Sequence, residues 1–135
     1  MQEIKFRGIS IDTWKWVYGY CVFDSKKESA NIVHKLGNNE MQHTAVDPKT
    51  VGQFTGLYDT RKKEIYRGDI LYERYKDEHE EKGYGEVYVE VSFKDGSFTW
   101  IGETTKEHHS FVNEPIHNKY HVIGNIYQNK ELLGL

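Results

Sequence analysis

The stretch from Val87 to Ile101 leaves this chain little choice of local structure. Val87, Val89, Val91 and Phe93 alternate with other residues up to Asp95-Gly96, and large side chains resume at Phe98 and Trp100. Asp-Gly between alternating runs is the signature of a two-residue type I′ turn, which needs φ > 0 at both central residues. That loop sets Lys94 opposite Ser97, Phe93 opposite Phe98 and Val91 opposite Trp100, so turn chemistry and hydrophobic phase ask for one register.

The same period recurs elsewhere. Glu3–Arg7 alternates charged and apolar side chains, which predicts an edge strand with one buried face. The run Trp14–Phe23 predicts one long strand covered in part on both sides, with Trp14, Trp16, Tyr18, Tyr20 and Val22 on one face and Val17, Cys21 and Phe23 on the other. Ile32–Leu36 and His43–Val46, joined by Gly37-Asn38-Asn39-Glu40, predict a second hairpin. Asp47-Pro48 supplies a cap and a first helical residue for a single 3₁₀ turn. Residues 76–83 have nothing apolar to bury and predict a solvated loop or hairpin tip. The tail predicts a last strand over Tyr120–Tyr127, interrupted at Gly124-Asn125, and one helical turn within Gln128–Leu133.

No segment sustains helical periodicity for the roughly 11–12 residues of an average helix. The expected fold is therefore mainly β: an antiparallel barrel or pseudo-barrel, or two β sub-barrels, with at most short helical turns. At 135 residues one domain spanning 1–135 suffices, with a sub-barrel division near 60–64 as the variant. A mean hydropathy of -0.77 argues against a membrane protein. The net charge of -3 provides no general field for nucleic acid, so a protein partner is favoured. Cys21 is the only cysteine and cannot form an intramolecular disulfide. A reducing cytoplasm is expected, since Glu3, Lys5, Arg7 and Asp12 also interrupt any signal-peptide core.

Chemistry-bearing residues are scattered. His108, His109, His117 and His121 share a short stretch, and imidazole is a common zinc ligand. Their spacing matches no zinc signature, and adjacent His108 and His109 point to opposite faces of a strand, so surface histidines are the expectation and no metal or cofactor is assigned. Glu64, Asp69, Glu86 and Glu90 offer carboxylates, but no pair stands out as acid and base, and Glu64 and Glu90 fall in the polar phase of their strands. Cys21, among aromatic and aliphatic neighbours, reads as an inert thiol. The aromatics say more. Most of them are expected to fill a small β-core, and the remainder to form a partner surface near Lys5, Arg7 and Lys15 or near Arg67 and Arg74. Trp14, Trp16, Tyr72 and Tyr75 are the candidate partner-binding residues.

Three segments carry a family likeness. Val46-Asp47-Pro48-Lys49-Thr50-Val51-Gly52-Gln53-Phe54-Thr55-Gly56-Leu57 leads into Lys63-Glu64-Ile65-Tyr66-Arg67-Gly68-Asp69-Ile70, and the chain closes with Val122-Ile123-Gly124-Asn125-Ile126-Tyr127. With Ile4-Lys5-Phe6-Arg7-Gly8 and Trp16-Val17-Tyr18-Gly19, the sequence resembles the YopX-like family of small phage- and prophage-encoded proteins nearly end to end. The resemblance implies a mainly β protein made in an infected or lysogenic bacterium, and it implies no assigned activity. Lys62 stands where the family commonly has the glycine of an Asn-Gly turn, which argues against a tight type I′ turn there, and Arg67 replaces a usual acidic residue. Gly68-Asp69 and Gly124-Asn125 read physically as structural turns: a permissive backbone followed by a side chain able to accept turn N–H groups.

The expected function is that of a non-catalytic accessory binding module for a host or phage protein, with a homo-oligomer as a further partner. Two other readings make different demands. A small metal-dependent enzyme needs the C-terminal histidines to converge with a carboxylate such as Glu107 or Glu114. A nucleic-acid-binding β-barrel needs aromatics and Arg/Lys in one exposed groove.

Overall fold

Across the residues that the computed structural model describes, 3–26, 28–103 and 106–134, period-two alternation resolves into antiparallel strands linked by turns. The strands divide between two units that part after Gly56.

Unit 1 contains β1 (Phe6–Ile9), β2 (Trp16–Phe23), β3 (Ala30–Lys35), β4 (Met41–Val46) and most of β5 (Gly52–Tyr58), in the order β4-β3-β2-β1-β5. β1 thus lies between two neighbours, although its alternating charges predicted an edge. The sheet tolerates that charge because Arg7 is buried with its guanidinium 4.0 Å from the centre of the Trp16 ring. Ala30, Ile32 and Val46 form the core, with Phe6, Val17, Cys21 and Val51 packed against them. Burial raises the Cys21 thiol pKa, as suits an unreactive side chain. A bridge between Ser10 and Val46 draws the end of β1 to the end of β4, supported by bonds from Ile11 N to Ala45 O and from Asp47 N to Ile9 O. The 3₁₀ turn Pro48–Thr50 forms as its sequence predicts: Asp47 Oδ1 accepts the Lys49 N–H, and Thr50 Oγ1 accepts the N–H of Ile9.

Unit 2 begins with the end of β5 and contains β6 (Glu64–Tyr66), β7 (Asp69–Lys76), β8 (Tyr84–Lys94), β9 (Ser97–Gly102), β10 (His108–Ser110) and β11 (His121–Asn125). Five of these form a sheet ordered β10-β9-β8-β7-β11. The β8–β9 register is the predicted one: Val91 faces Trp100, Phe93 faces Phe98 and Lys94 faces Ser97. Asp95 and Gly96 take φ of 53° and 83°, as a type I′ turn requires. Residues 77–83 are the tip of the β7–β8 hairpin, and Lys76 pairs with Tyr84 at its base. Ile65, Leu71, Val89, Val91, Phe111 and Val122 make the core. A 3₁₀ turn at Lys130–Leu133 ends the chain and buries Leu133.

The architecture is mainly β and antiparallel, and among the described residues neither sheet closes into a barrel. No described helix is long and apolar enough to cross a membrane.

Two hairpin loops share one geometry. Leu36–Glu40 and Asp59–Lys63 each close with an N–H from the first residue to the last carbonyl, while the fourth residue donates to the first carbonyl. These are three-residue loops with a left-handed residue at the third position, filled by Asn39 at φ 69° and Lys62 at φ 63°. The tight two-residue turn that Lys62 argued against is therefore absent from this loop. Asn adopts the left-handed region at lower cost than Lys. Lys62→Gly is expected to stabilise the fold by about 0.5–1 kcal/mol, the steric relief less the entropy of a glycine. Thermal melts check this, and a fall in melting temperature would mean that the Lys62 side chain holds contacts worth more than the strain.

Candidate functional site

Alternation on β2 places Trp16, Tyr18, Tyr20 and Val22 on one face, opposite the face that packs on Ile32 and Val46. The expectation that most of these aromatics fill a core does not hold here. Tyr18 is 46% exposed, Tyr20 64% and Val22 54%. β3 and β4 extend the same surface, because Val33 lies opposite Tyr20 and His43 opposite Val33, with Met41, 51% exposed, two pairs further along. Trp14 does not join the strand; it sits in the preceding turn at φ 61° and is 69% exposed. Phe23, expected on the face of Val17 and Cys21, is exposed at the strand end.

The sheet opens beside this stripe. The β2–β3 ladder stops at Tyr20 and Val33, while β1–β2 pairing runs on to Ile9 and Trp16, and β3–β4 pairing to Lys35 and Met41. Between the diverging strands is a cleft of about 560 Å³, with Trp16, Val17 and Tyr18 on one side, His34, His43 and Thr44 on another and Asp12 at the turn. His34 Nε2 lies 3.2 Å from Thr44 Oγ1, which orients the ring at the cleft wall. Sequence reasoning passed over His34, His43 and Thr44, since local patterning does not reveal where a ladder stops.

Unit 2 carries its own aromatic cluster. Tyr72 packs against Tyr88 at 5.0 Å and edge-on to His121 at 5.5 Å. Arg74 Nε donates to Tyr72 Oη at 3.4 Å, and the Arg74 guanidinium lies 3.9 Å from the centre of the Tyr84 ring. Tyr88 donates to Glu86, and its phenol pKa is raised by burial first and by that carboxylate second. His121 is shifted down by burial and then by Arg61, so its neutral form is favoured. Tyr75 is half-exposed but does not belong with Tyr72: neighbouring strand positions alternate, and its ring lies across Gly85, its direct partner on β8. A Cβ on that glycine would stand 2.3 Å from the Tyr75 ring. That contact is the aromatic cover a strand glycine commonly needs.

The four C-terminal histidines go to separate places. His108 Nδ1 meets Thr99 Oγ1 at 2.9 Å, whereas His109 stacks on Trp100 at 4.2 Å and meets Glu114 Oε1 at 3.0 Å. His117 packs near Phe111, and His121 against Tyr72. Among the described residues no three His, Cys, Asp or Glu side chains gather as a metal would require. Glu90, expected to be solvated, is half-buried at a pocket shared with Ile101 and Leu133, and burial raises its pKa ahead of the opposing pull of His108, Lys106 and Arg67. Glu103 and Lys106 line the same pocket, and of its two carboxyls Glu90 is the one that burial shifts.

The turn motifs meet in one corner. Asp69 Oδ2 accepts the Tyr66 N–H at 2.7 Å across the Gly68 turn, and Asp69 lies opposite Asn125 in the β7–β11 register. That ladder bulges between Val122 and Gly124. Asn125 Oδ1 accepts from Tyr127 and Gln128, while Asn125 N donates to Asn129 Oδ1, whose side chain sits where a Cβ on Gly124 would be. These residues build the corner.

Open antiparallel sheets, with an exposed aromatic face in unit 1 and a motif-built corner in unit 2, define a small, mainly β protein. Residues 5–134 match the family described as YopX protein, and the chain belongs to the YopX family. A similar fold is seen in the crystal structure of protein EF1440 from Enterococcus faecalis: the likeness covers 98% of this chain and 99% of that chain with a TM-score of 0.60, at 23% sequence identity. No curated protein matches the sequence.

Proposed function

We propose that this YopX-family chain is a non-catalytic accessory protein of a phage or prophage, working in the bacterial cytoplasm by binding a host or phage protein through the outer face of β2–β4. The observation that carries the reading is the run of Tyr18, Tyr20, Val22 and Met41 exposed along one sheet face. Exposed apolar residues scattered singly are ordinary, whereas a contiguous aromatic and aliphatic face is a favoured protein-docking surface. Its chemistry suits a protein better than a nucleic-acid strand, because the Arg7 guanidinium is buried against Trp16 and is not presented to phosphates. The separate engagement of the histidines supports the non-catalytic part.

A photoreactive amino acid at Tyr20, in cells of the bacterial host expressing the prophage genes, tests this. A discrete adduct with a different protein is expected, absent when the probe is moved to Lys94 at the β8–β9 tip and lost on Tyr18→Ser. No adduct, the same adduct from both sites, or only an adduct of doubled mass would sink the reading.

A further inference from the structure

The sheet of unit 2 has its core on the face of Leu71, Val89 and Val122. On the opposite face the terminal 3₁₀ turn covers one end, where Leu133 lies with Glu90 and Ile101. Farther along that outer face, register sets Tyr88, Tyr72 and His121 side by side on β8, β7 and β11, with Arg74 two residues along β7 from Tyr72. The three rings are half-buried and Arg74 is exposed.

A guanidinium brackets this row of rings at each end. Arg74 is held by Tyr72 Oη at 3.4 Å and by the face of Tyr84 at 3.9 Å, contacts that orient its charge without neutralising it. Arg61 sits in the loop that Asp59 shapes, and that loop is tied to the residues on either side of His121: Thr60 N donates to Tyr120 O, and Val122 N to Asp59 Oδ2. Among the described residues neither guanidinium meets a carboxylate within ion-pair distance. Two carboxylates border the rings. Glu86 is engaged by Tyr88 Oη at 2.9 Å and by Lys82 Nζ at 3.6 Å, and Glu103 bears on Tyr88 from the end of β9.

Unpaired guanidinium groups beside aromatic rings are complementary to a ligand that joins phosphates to flat bases. An acidic peptide would satisfy the arginines and leave the rings unused. The Tyr72 ring is turned by 52° from Tyr88 and by 78° from His121, so the rings do not present one plane. Splayed bases of a flexible strand can follow such rings, and the parallel stack of a duplex cannot. Unit 2 carries eleven Lys and Arg against fifteen Asp and Glu, but Asp77, Glu78, Glu80 and Glu81 belong to the β7–β8 tip. At about 3.4 Å per residue that tip begins about 17 Å from Tyr72, roughly twice the screening length at physiological salt.

We propose that this face of unit 2 binds a short stretch of single-stranded nucleic acid, with bases on Tyr72, Tyr88 and His121 and phosphates on Arg61 and Arg74. The site is on the other unit from the β2–β4 face and does not depend on a protein docking there.

Fluorescence anisotropy of the full chain with an end-labelled twelve-residue oligothymidylate or oligouridylate tests it. With two phosphate contacts, a Kd of about 10–100 μM is expected at low salt, weakening about sevenfold from about 50 to 200 mM salt. Replacing both arginines, Arg61→Gln with Arg74→Gln, should weaken binding and flatten that salt dependence, which a loss of folding alone would not do. Tyr72→Leu should cost about tenfold through the lost stacking, and Arg74→Gln, at an exposed position, decides alone if that variant fails to fold. Tyr18→Ser on the β2–β4 face and Lys94→Gln at the β8–β9 tip should leave binding unchanged. Failure of both oligonucleotides to bind at about 100 μM, equal binding of a duplex, or equal loss through Lys94→Gln overturns the proposal. Displacement by polyglutamate at the concentration at which unlabelled oligonucleotide displaces would overturn it too, in favour of an acidic protein.

Discussion

Asp59→Ala is expected to cost about 3 kcal/mol of stability, one of the largest losses available to a single side chain outside the apolar core. Asp59 is 6% exposed at the head of the β5–β6 loop. Its Oδ1 accepts the N–H groups of Arg61 and Lys63, each at 2.8 Å, and its Oδ2 accepts the Val122 N–H at 2.8 Å, 63 residues along the chain. One carboxylate therefore shapes its own loop and holds that loop to β11. Hydrogen bonds to a charged acceptor contribute about 1.5–3 kcal/mol each and do not add in full when they share one group. Exposed loop N–H groups can turn to water after the substitution, but the N–H of buried Val122 is left without its acceptor. Asp59→Asn keeps an acceptor oxygen and loses the charge, so roughly half the effect is expected. Urea and thermal melts measure both, and a loss below about 1 kcal/mol for alanine would mean that Val122 N–H finds another partner readily.

Gly68→Ala is expected to cost about 2 kcal/mol, whereas Gly96→Ala costs about 1 kcal/mol, although both glycines have positive φ. Gly68 has φ 92° and Gly96 has φ 83°, so the backbone penalty is of one kind. The surroundings differ. A Cβ at Gly68 would lie 3.0 Å from Tyr127 Cε2, and one at Gly96 meets nothing within 4 Å. Gly68 is also pinned on both sides, its N–H donating to Val91 O and its carbonyl accepting from Ile126 N, each at 2.8 Å. The turn at Gly68 therefore cannot relax without breaking bonds to β8 and to the C-terminal segment, and the tip at Gly96 can. Equal losses in parallel denaturant titrations would show that φ alone sets the cost and that Tyr127 yields freely.

How far the sequence disclosed this structure depended on whether the deciding interaction was local. Asp95-Gly96 and its flanking alternation stated a turn and a register together, and β8 and β9 have both. Asp47-Pro48 likewise announced its 3₁₀ turn, and Gly68-Asp69 its structural role. The misreadings share another cause. The charges of Lys5 and Arg7 suggested an edge, because nothing local says that a tryptophan nine residues on will cover the guanidinium. Most of the clustered aromatics were expected to fill a core, and those of β2 are exposed, because composition cannot tell which face of a strand is covered. Tyr72 and Tyr75 were grouped by proximity in sequence, and the pleat sends them apart. Asp59 looked like any turn aspartate; its partner Val122 is a fact of tertiary packing. The cleft beside β2 depends on where a ladder ends, which no short motif encodes.

The contacts that complete each unit also set an order of events during synthesis. The strands β1–β4 and their core residues Ala30, Ile32 and Val46 lie within the first 46 residues, so this part of unit 1 can assemble while the rest of the chain is still being made. Unit 2 has its keystones late: Val122 receives the Asp59 clamp, Asn125 faces Asp69, and Leu133 is buried. Until residues 121–133 have left the ribosome, the corner at Gly68 lacks its bond from Ile126 and β7 lacks β11 as a neighbour. The strands of unit 1 can thus be native while unit 2 waits for residues 122–133 to complete it.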